Sequence, residues 1–546
     1  MTSNWLSLFQ SAKNVSTPLV TIQTPDQGAT VEALRVHFAA DTKQITPIVT
    51  WDCIRGIQWA NESGLAMLWQ IMSPAAQSGS SYGQQAARTQ PMPTKQDVEA
   101  LRKRLQEGFA DPINALEFAA RCTDRAIFVM MNAHLFWEKP HFVQAAWNLR
   151  DPFKGSMRTL VFLTEIGVIT PMSLRDSLPL VEALPTIEEI DAMVKEQFDC
   201  AQMKDDPGVR AAAVDALCGL ASFPAEQALA MSFCRRNGAL TLDLDALWER
   251  KRQAVEQTPG LSIWRGDDSF GKIGGLENIK TFLTDLLGGE EPPRLIVFID
   301  EIEKAMAGAT SEGGDSSGTT QEMHGTLLAE MQNRNYPGLI LVGPAGTGKS
   351  QIAKSFAGEA KKPCVMLDLS SMKNKFVGES NANLNHALRM VYSISQGRAL
   401  WIATCNSIAQ LPPELKRRFS LGTFFVDLPS KEELAPIWSI YLKQFGLDTK
   451  QKRPIDDGWT GADVKACCSL AWKLRKPLLH AAEFLTPVAQ TDGAKIQALR
   501  QASSGKYLSA SYPGKYIYGK SESPVVATSG VSTKTKRAIS IPSDVN

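Results

Sequence analysis

Gly343-Pro344-Ala345-Gly346-Thr347-Gly348-Lys349-Ser350 follows the apolar run Leu339-Ile340-Leu341-Val342, and this junction decides the fold. A short apolar run entering a GxxxxGKS pattern spells strand, loop and helix start. In such a loop the glycines let main-chain N–H groups curl around phosphate oxygens at the helix N-terminus. Lys349 is placed to reach the outer phosphates, and the Ser350 hydroxyl to take a Mg²⁺ coordination position. The loop needs a neighbouring strand that ends in acid, and Leu295-Ile296-Val297-Phe298-Ile299-Asp300-Glu301 supplies it. That strand stands upstream of the loop, whereas in most chains with this pair it follows.

Composition sets the frame around the pair. A chain of 546 residues has room for about two to four domains with full cores. Apolar content of 44% and charged content of 21% are ordinary for a soluble globular protein. The net charge of +1 gives no global field toward nucleic acid or an anionic membrane. Nine cysteines show neither CxxC spacing nor a histidine at ligand spacing, and Cys467-Cys468 read as small buried hydrophobes. Such usage suggests reduced thiols and a cytoplasmic protein. No apolar run approaches the roughly 18 residues of a membrane helix. The N-terminal stretch is Ser/Thr-rich with only Lys13 before Asp26; it lacks the apolar core of a secretory signal and the arginines of a transit peptide.

Five regions follow from the pattern. Residues 1–185 mix helices with short strands such as Pro47-Ile48-Val49-Thr50-Trp51 and those at 126–131 and 159–164. Within them, 75–95 is rich in Gln, Ser, Gly and Pro and reads as a flexible insertion. Residues 186–257 look mostly helical. Residues 258–430 alternate strand and helix, as a doubly wound parallel sheet requires. Residues 431–501 are helical again. Residues 502–546 are rich in Ser, Gly, Pro, Lys and Tyr, and are expected to be disordered. This tail interleaves basic residues with Tyr507, Tyr512, Tyr516 and Tyr518; it is either a neutral solvated tail or a contact for single-stranded nucleic acid or a partner.

Further motifs accompany the loop. The strand-like Trp401-Ile402-Ala403-Thr404 leads to Asn406, a polar side chain placed to orient an attacking water. In Leu411-Pro412-Pro413-Glu414-Leu415-Lys416-Arg417-Arg418-Phe419, two guanidiniums precede a strand at 423–427, where an arginine can stabilise charge on a γ-phosphate bound by a neighbouring subunit. Gly461-Ala462-Asp463 opens a helix of the small helical domain. His324 and His386 read as surface or helix residues, with no metal site proposed for them.

The set FIDEIEKA, GPAGTGKS, ATCN, LPPELKRRF, VDLP and TGAD resembles the AAA clade of AAA+ ATPases. It is similar above all to the family named for hypothetical chloroplast reading frame forty-six, which joins a degenerate ATPase-like N-terminal domain to one active AAA module. The resemblance runs from about residue 30 to 480 and includes Val49-Thr50-Trp51-Asp52-Cys53-Ile54-Arg55-Gly56 and Asn132-Ala133-His134. It implies an α/β fold: a five-stranded parallel AAA+ sheet with permuted connectivity, a helical lid, and the degenerate α/β domain in front. By the same resemblance Gly343, Pro344, Ala345, Gly346, Thr347, Gly348, Lys349 and Ser350 are the Walker A loop. Asp300 holds Mg²⁺ through water, Glu301 polarises the attacking water, and Asn406 is sensor 1. Arg417 and Arg418 are fingers acting on a neighbour. Ile273 and Gly274, with Gly275, contact adenine, and Gly461 and Ala462 approach it from the lid. Lys375, Phe376 and Val377, with Gly378, fall at a pore loop. The Gly/Ser/Thr-rich residues 306–321 are either a second pore loop or a connector.

The N-terminal half has no GxxxxGK pattern, and its strand Ile127-Phe128-Val129-Met130-Met131 ends in Asn132 where an acid would be needed. It reads as a non-catalytic docking or regulatory domain. If the strands keep the AAA arrangement, their spatial order is 364–368, 295–300, 400–404, 339–342, 423–427, all parallel. Each changed connection then moves one strand over, roughly 5 Å. The function expected is ATP hydrolysis with Mg²⁺ in a ring, a homo-hexamer, remodelling or threading a protein substrate. Two other readings stand: a nucleic-acid-associated loader or motor using the tail, and a slow nucleotide-gated scaffold.

Overall fold

The computed structural model describes residues 4–519, apart from 40–45, 73–92, 237–238, 265, 267, 306–318, 373–378, 408–410 and 412. Two mixed sheets organise it. The first contains β1 (Leu19–Gln23), β2 (Ile48–Asp52), β3 (Gly56–Trp59), β4 (Ile127–Met130), β5 (Thr159–Thr164) and β6 (Leu178–Val181). A hairpin, β7 (Phe233–Arg236) and β8 (Ala239–Leu242), lies in the helical region between the sheets. The second sheet contains β9 (Leu261–Trp264), β10 (Leu295–Ile299), β11 (Gly338–Val342), β12 (Cys364–Leu367), β13 (Ala399–Cys405), β14 (Thr423–Phe425) and β15 (Leu508–Ser509).

Across the second sheet the order is β15-β14-β11-β13-β10-β12-β9. Its five inner strands are parallel and stand in the spatial order expected from sequence. The expectation of five strands falls short at both edges. β9 pairs antiparallel with β12, and β15 pairs parallel with β14. Both are short, and neither carries the long apolar run that marks a strand buried on two faces.

The strands are apolar along their length because both faces are covered. In β10, Leu295, Val297 and Ile299 enter one core while Ile296 and Phe298 enter the other, as side-chain alternation requires. Helix 319–334 runs from the β10 side to β11, and helix 379–395 from the β12 side to β13; the two pack together. Left-handed residues close the connectors: Asn335 before β11, and Gln396 and Gly397 before β13.

The first sheet has the order β3-β2-β4-β5-β1-β6, with β3 antiparallel at its edge and the rest parallel. Laid position by position on the second sheet, β2, β4, β5, β1 and β6 fall on β12, β10, β13, β11 and β14, and the antiparallel edges β3 and β9 also coincide. Spatial order is shared; chain order is not. In the first sheet β4 comes third among the five, while its counterpart β10 comes first.

Between the sheets, helices 187–200, 207–217, 222–230 and 244–256 bury their own apolar cluster. They dock on the second sheet's domain through Arg294, whose Nη2 lies 3.0 Å from Asp215 Oδ1. After the second sheet the helical region begins with two capping boxes. Ser430 and Glu433 start helix 431–444, and Thr460 and Asp463 start helix 461–474; each pair satisfies end N–H groups on both sides. Cys467 and Cys468 are buried there, and all nine cysteines are free.

The expected disorder from residue 502 is also corrected. Residues 502–519 fold back on the second sheet, where Tyr516 is 5% exposed against Phe425 at a ring separation of 4.3 Å. Polar composition had hidden three aromatic rings, Tyr507, Tyr512 and Tyr516, that join an existing core. Residues 520–546 lie outside the described residues, as do most of 75–95, 306–318 and the expected pore-loop positions Lys375, Phe376, Val377 and Gly378. Among the described residues no helix is long and apolar enough to cross a membrane.

Candidate active site

Six residues, 343–348, join β11 to helix 349–360. Gly343 is fixed by crowding, since a Cβ there would lie 2.0 Å from the Val426 carbonyl oxygen. Gly346 and Gly348 adopt φ of +79° and +93°, a region that side chains disfavour. A Cβ on Gly348 would meet nothing within 4 Å, so the loop's outer surface is open. Thr347 Oγ1 donates to the Pro344 carbonyl at 2.9 Å. Lys349 is 6% exposed, and its Nζ donates to the carbonyls of Gly343 and Pro344 at 2.9 and 2.6 Å. Burial pushes its ammonium down to about 8, opposed by Glu303 and then Asp300.

The acidic strand lies two positions away across β13, close enough for its end to meet the loop. Ser350 Oγ donates to Asp300 Oδ1 at 2.8 Å, and Thr404 Oγ1 donates to the same oxygen at 2.5 Å. Glu301 leaves β10 with φ +48°, and its N–H donates to Thr404 Oγ1 at 2.9 Å. Asn406 Nδ2 donates to Glu301 Oε1 at 3.1 Å, while Lys304 pairs with the other oxygen at 2.5 Å. Loop, acid pair and amide therefore meet at the C-terminal ends of β11, β10 and β13.

The donor set fits a magnesium nucleotide. Mg²⁺ takes hard oxygen ligands, usually one or two from protein beside phosphate oxygens and water. A carboxylate and a hydroxyl already in contact, Asp300 and Ser350, meet that description beside an open loop of N–H groups at a helix start.

The lid approaches from the other side. Ala462 N–H donates to the Gly346 carbonyl at 3.2 Å, and a Cβ on Gly346 would lie 2.8 Å from Thr460 Oγ1. Gly461 opens the same helix. Ile273 is buried, and the two glycines after it sit against helix 431–444: Cβ atoms on Gly274 and Gly275 would lie 2.6 Å from Ile437 Cγ1 and from Glu433 Oε1. Glu433 Oε1 also accepts from the Leu276 N–H at 2.9 Å and from Ser511 Oγ at 2.8 Å. The expected adenine residues thus form a junction between sheet and lid.

Helix 413–418 separates the two arginines that the sequence treats alike. Arg417 is exposed, whereas Arg418 donates from Nη2 to Gln332 Oε1 at 2.7 Å. Two residues were missed from sequence. Thr404 bridges both acids, and its signal was the polar residue ending an apolar strand. Glu303 is 5% exposed and accepts from the Asn406 N–H at 2.9 Å; its signal was a further acid two places beyond Glu301.

In the first sheet the corresponding place is closed. Gln23 pairs with Thr164 as Val342 does with Cys405, and Met130 with Phe162 as Ile299 does with Ala403. This register sets Met131 on Asp300 and Asn132 on Glu301, and Asn132 has the same left-handed backbone, φ +50°. Only residues 24–26 separate β1 from the next helix, too few to ring a phosphate. Gln27 Nε2 donates to Asn132 Oδ1 at 2.8 Å, and Asn132 N–H donates back to Gln27 Oε1 at 2.9 Å.

Comparisons with known proteins agree with this division. Residues 7–183 match the family model of the SpoVK-like AAA ATPase N-terminal domain, and 188–258 that of its second domain. Residues 339–396 match the AAA family model, ATPases associated with various cellular activities; β10 and its acids lie upstream of that match. An uncharacterized AAA domain-containing protein ycf46 of Gracilaria tenuistipitata var. liui is 24% identical over 74% of this chain and 88% of its own. A proteasome-activating nucleotidase of Aeropyrum pernix is 27% identical over 28% of this chain and 37% of its own. The FIGL-1 AAA domain in complex with ADP aligns over 45% of this chain and 92% of its own, at 16% identity and a TM-score of 0.28.

Proposed function

We propose that this chain, a AAA ATPase with SpoVK-like leading domains, couples ATP hydrolysis to the remodelling of a protein substrate as a ring of like subunits. The observation that carries the reading is the hydrogen-bond chain Ser350–Asp300–Thr404–Glu301–Asn406, beside Lys349 held on the carbonyls of its own loop. Bound Mg²⁺ would neutralise charge on the β- and γ-phosphates, with Ser350 as its protein ligand and Asp300 holding it through water. Lys349 exchanges two carbonyl partners for phosphate oxygens. Glu301, aimed by Asn406, orients the attacking water. Arg417, exposed on its own helix, is the arginine free to reach a neighbour, while Arg418 anchors that helix to Gln332.

The protein-substrate reading draws on the likeness to a proteasome-activating nucleotidase. The nucleic-acid alternative loses support, because Tyr507, Tyr512 and Tyr516 are engaged in the chain's own core. The free cysteines suit a reducing cytoplasm. We read the chain order as a transposition of one strand–helix unit, residues 293–338, within an otherwise complete AAA module.

Electron microscopy of Glu301→Gln with ATP tests the ring. Closed hexamers with density in the pore are expected, together with turnover reduced by about a hundredfold or more. A monomer would undercut the role of Arg417, and unchanged turnover would favour a nucleotide-gated scaffold.

A further inference from the structure

We propose that Glu303 is a positioning residue for hydrolysis: its carboxylate clamps the Asn406 main chain and so holds the Asn406 amide on Glu301. The inference rests on the roles assigned above to Glu301 and Asn406. Glu303 lies on the short helix 302–305 that begins just beyond Glu301. Its Oε1 takes the Asn406 N–H at 2.9 Å, and Asn406 Nδ2 reaches Glu301 Oε1 at 3.1 Å. A second tie runs alongside, from the Glu301 N–H to Thr404 Oγ1. The acid turn and the end of β13 are therefore pinned at two points, and the amide that aims Glu301 sits at the outer one.

Glu303 is 5% exposed, and besides the Asn406 N–H it meets the buried Cys405 thiol, which burial and then this carboxylate push up. A carboxylate buried with one N–H and a weak thiol donor is poorly satisfied, which costs free energy. A clamp of this kind acts on geometry, where a displacement of about 1 Å can cost a hundredfold in rate.

The test compares Glu303→Ala, Glu303→Gln, Asn406→Ala and the Glu303→Ala/Asn406→Ala double variant in the full chain. Steady-state ATP turnover, affinity for a fluorescent ADP and thermal unfolding are measured for each. Glu303→Ala is expected to lower kcat by about a hundredfold while KM and ADP affinity stay within about threefold. Glu303→Gln keeps an acceptor for the Asn406 N–H and should recover to within about fivefold of the parent. The double variant should be no slower than Asn406→Ala, because the two residues act as one unit.

A multiplicative double variant would overturn the proposal, as would a Glu303→Gln protein as slow as Asn406→Ala. If Glu303→Ala does not fold, the glutamine comparison decides. Loss in Asn406→Ala with none in Glu303→Ala sinks this inference alone. Full turnover in Asn406→Ala as well sinks the site assignment beneath it.

Discussion

The two sheets place five parallel strands and an antiparallel edge in the same spatial order, yet one holds a reactive constellation and the other a pair of amides. The difference lies in the connections and in a few end residues. Six residues separate β11 from its helix and three separate β1 from its own. Asp300 and Glu301 give way to Met131 and Asn132, although Asn132 keeps the left-handed backbone of Glu301. At the places of Glu303 and Asn406 stand His134 and Glu165, with His134 Nε2 4.0 Å from Glu165 Oε1. A shared sheet order sets where strand ends converge. The loop length and side chains at those ends decide whether phosphate can be held there.

The comparison breaks most sharply at the two loops. Lys349→Ala should abolish nucleotide binding and lower turnover by about a thousandfold or more, while Gln27→Ala with Asn132→Ala should leave turnover within about twofold. Equal losses in ATP turnover assays would show that the first sheet shares the chemistry.

A second prediction concerns pH. Lys349 in the ligand-free protein gives up its proton near pH 8 because burial disfavours the ammonium. Phosphate oxygens restore the charged form, so nucleotide binding takes up a proton above that pH. Affinity for a fluorescent ADP should be flat below about pH 8 and weaken above it, by at most about tenfold per unit. Affinity that rises with pH would contradict the buried position of Lys349.

The smallest effect concerns the edge that the first sheet lacks. Tyr516 donates its hydroxyl to Asp427 Oδ2 at 2.7 Å, and Arg500 Nε donates to Asp427 Oδ1 at 2.7 Å. Tyr516→Phe removes one bond to a carboxylate and should cost about 1–2 kcal/mol in thermal or denaturant unfolding, leaving the ring on Phe425. No change in stability would mean that β15 is held by its backbone pairing alone.

Particular residues show how much could be read in advance. Gly343 to Ser350 and Asp300-Glu301 stood out because phosphate chemistry restricts residue type at fixed offsets, and the structure brings them into contact. The order of the five inner strands followed from the resemblance, with the strands taken to keep the AAA arrangement, and the structure has that order. Glu303 was not legible as a clamp, because a third acid in a turn reads the same whether it points to water or to a main-chain N–H. Arg417 and Arg418 could not be told apart, since only folding brings Gln332 to one of them. Tyr516 was masked by a tail rich in Ser, Gly and Lys, where average composition outweighs one ring.

By itself the amino-acid sequence carried the motifs of this protein: a GxxxxGKS loop after an apolar strand, an acid pair ending another, and neither in the first half. Those properties reside in residue types at short range, and local offsets along the chain are enough to specify them. Tertiary structure alone decided that the first sheet repeats the strand order of the second. It also decided that a C-terminal segment closes the far edge, and that Glu303 rather than solvent receives the Asn406 N–H. Each of these is a pairing between residues far apart in sequence. Many strand orders bury the same apolar runs, and the packed fold selects one of them.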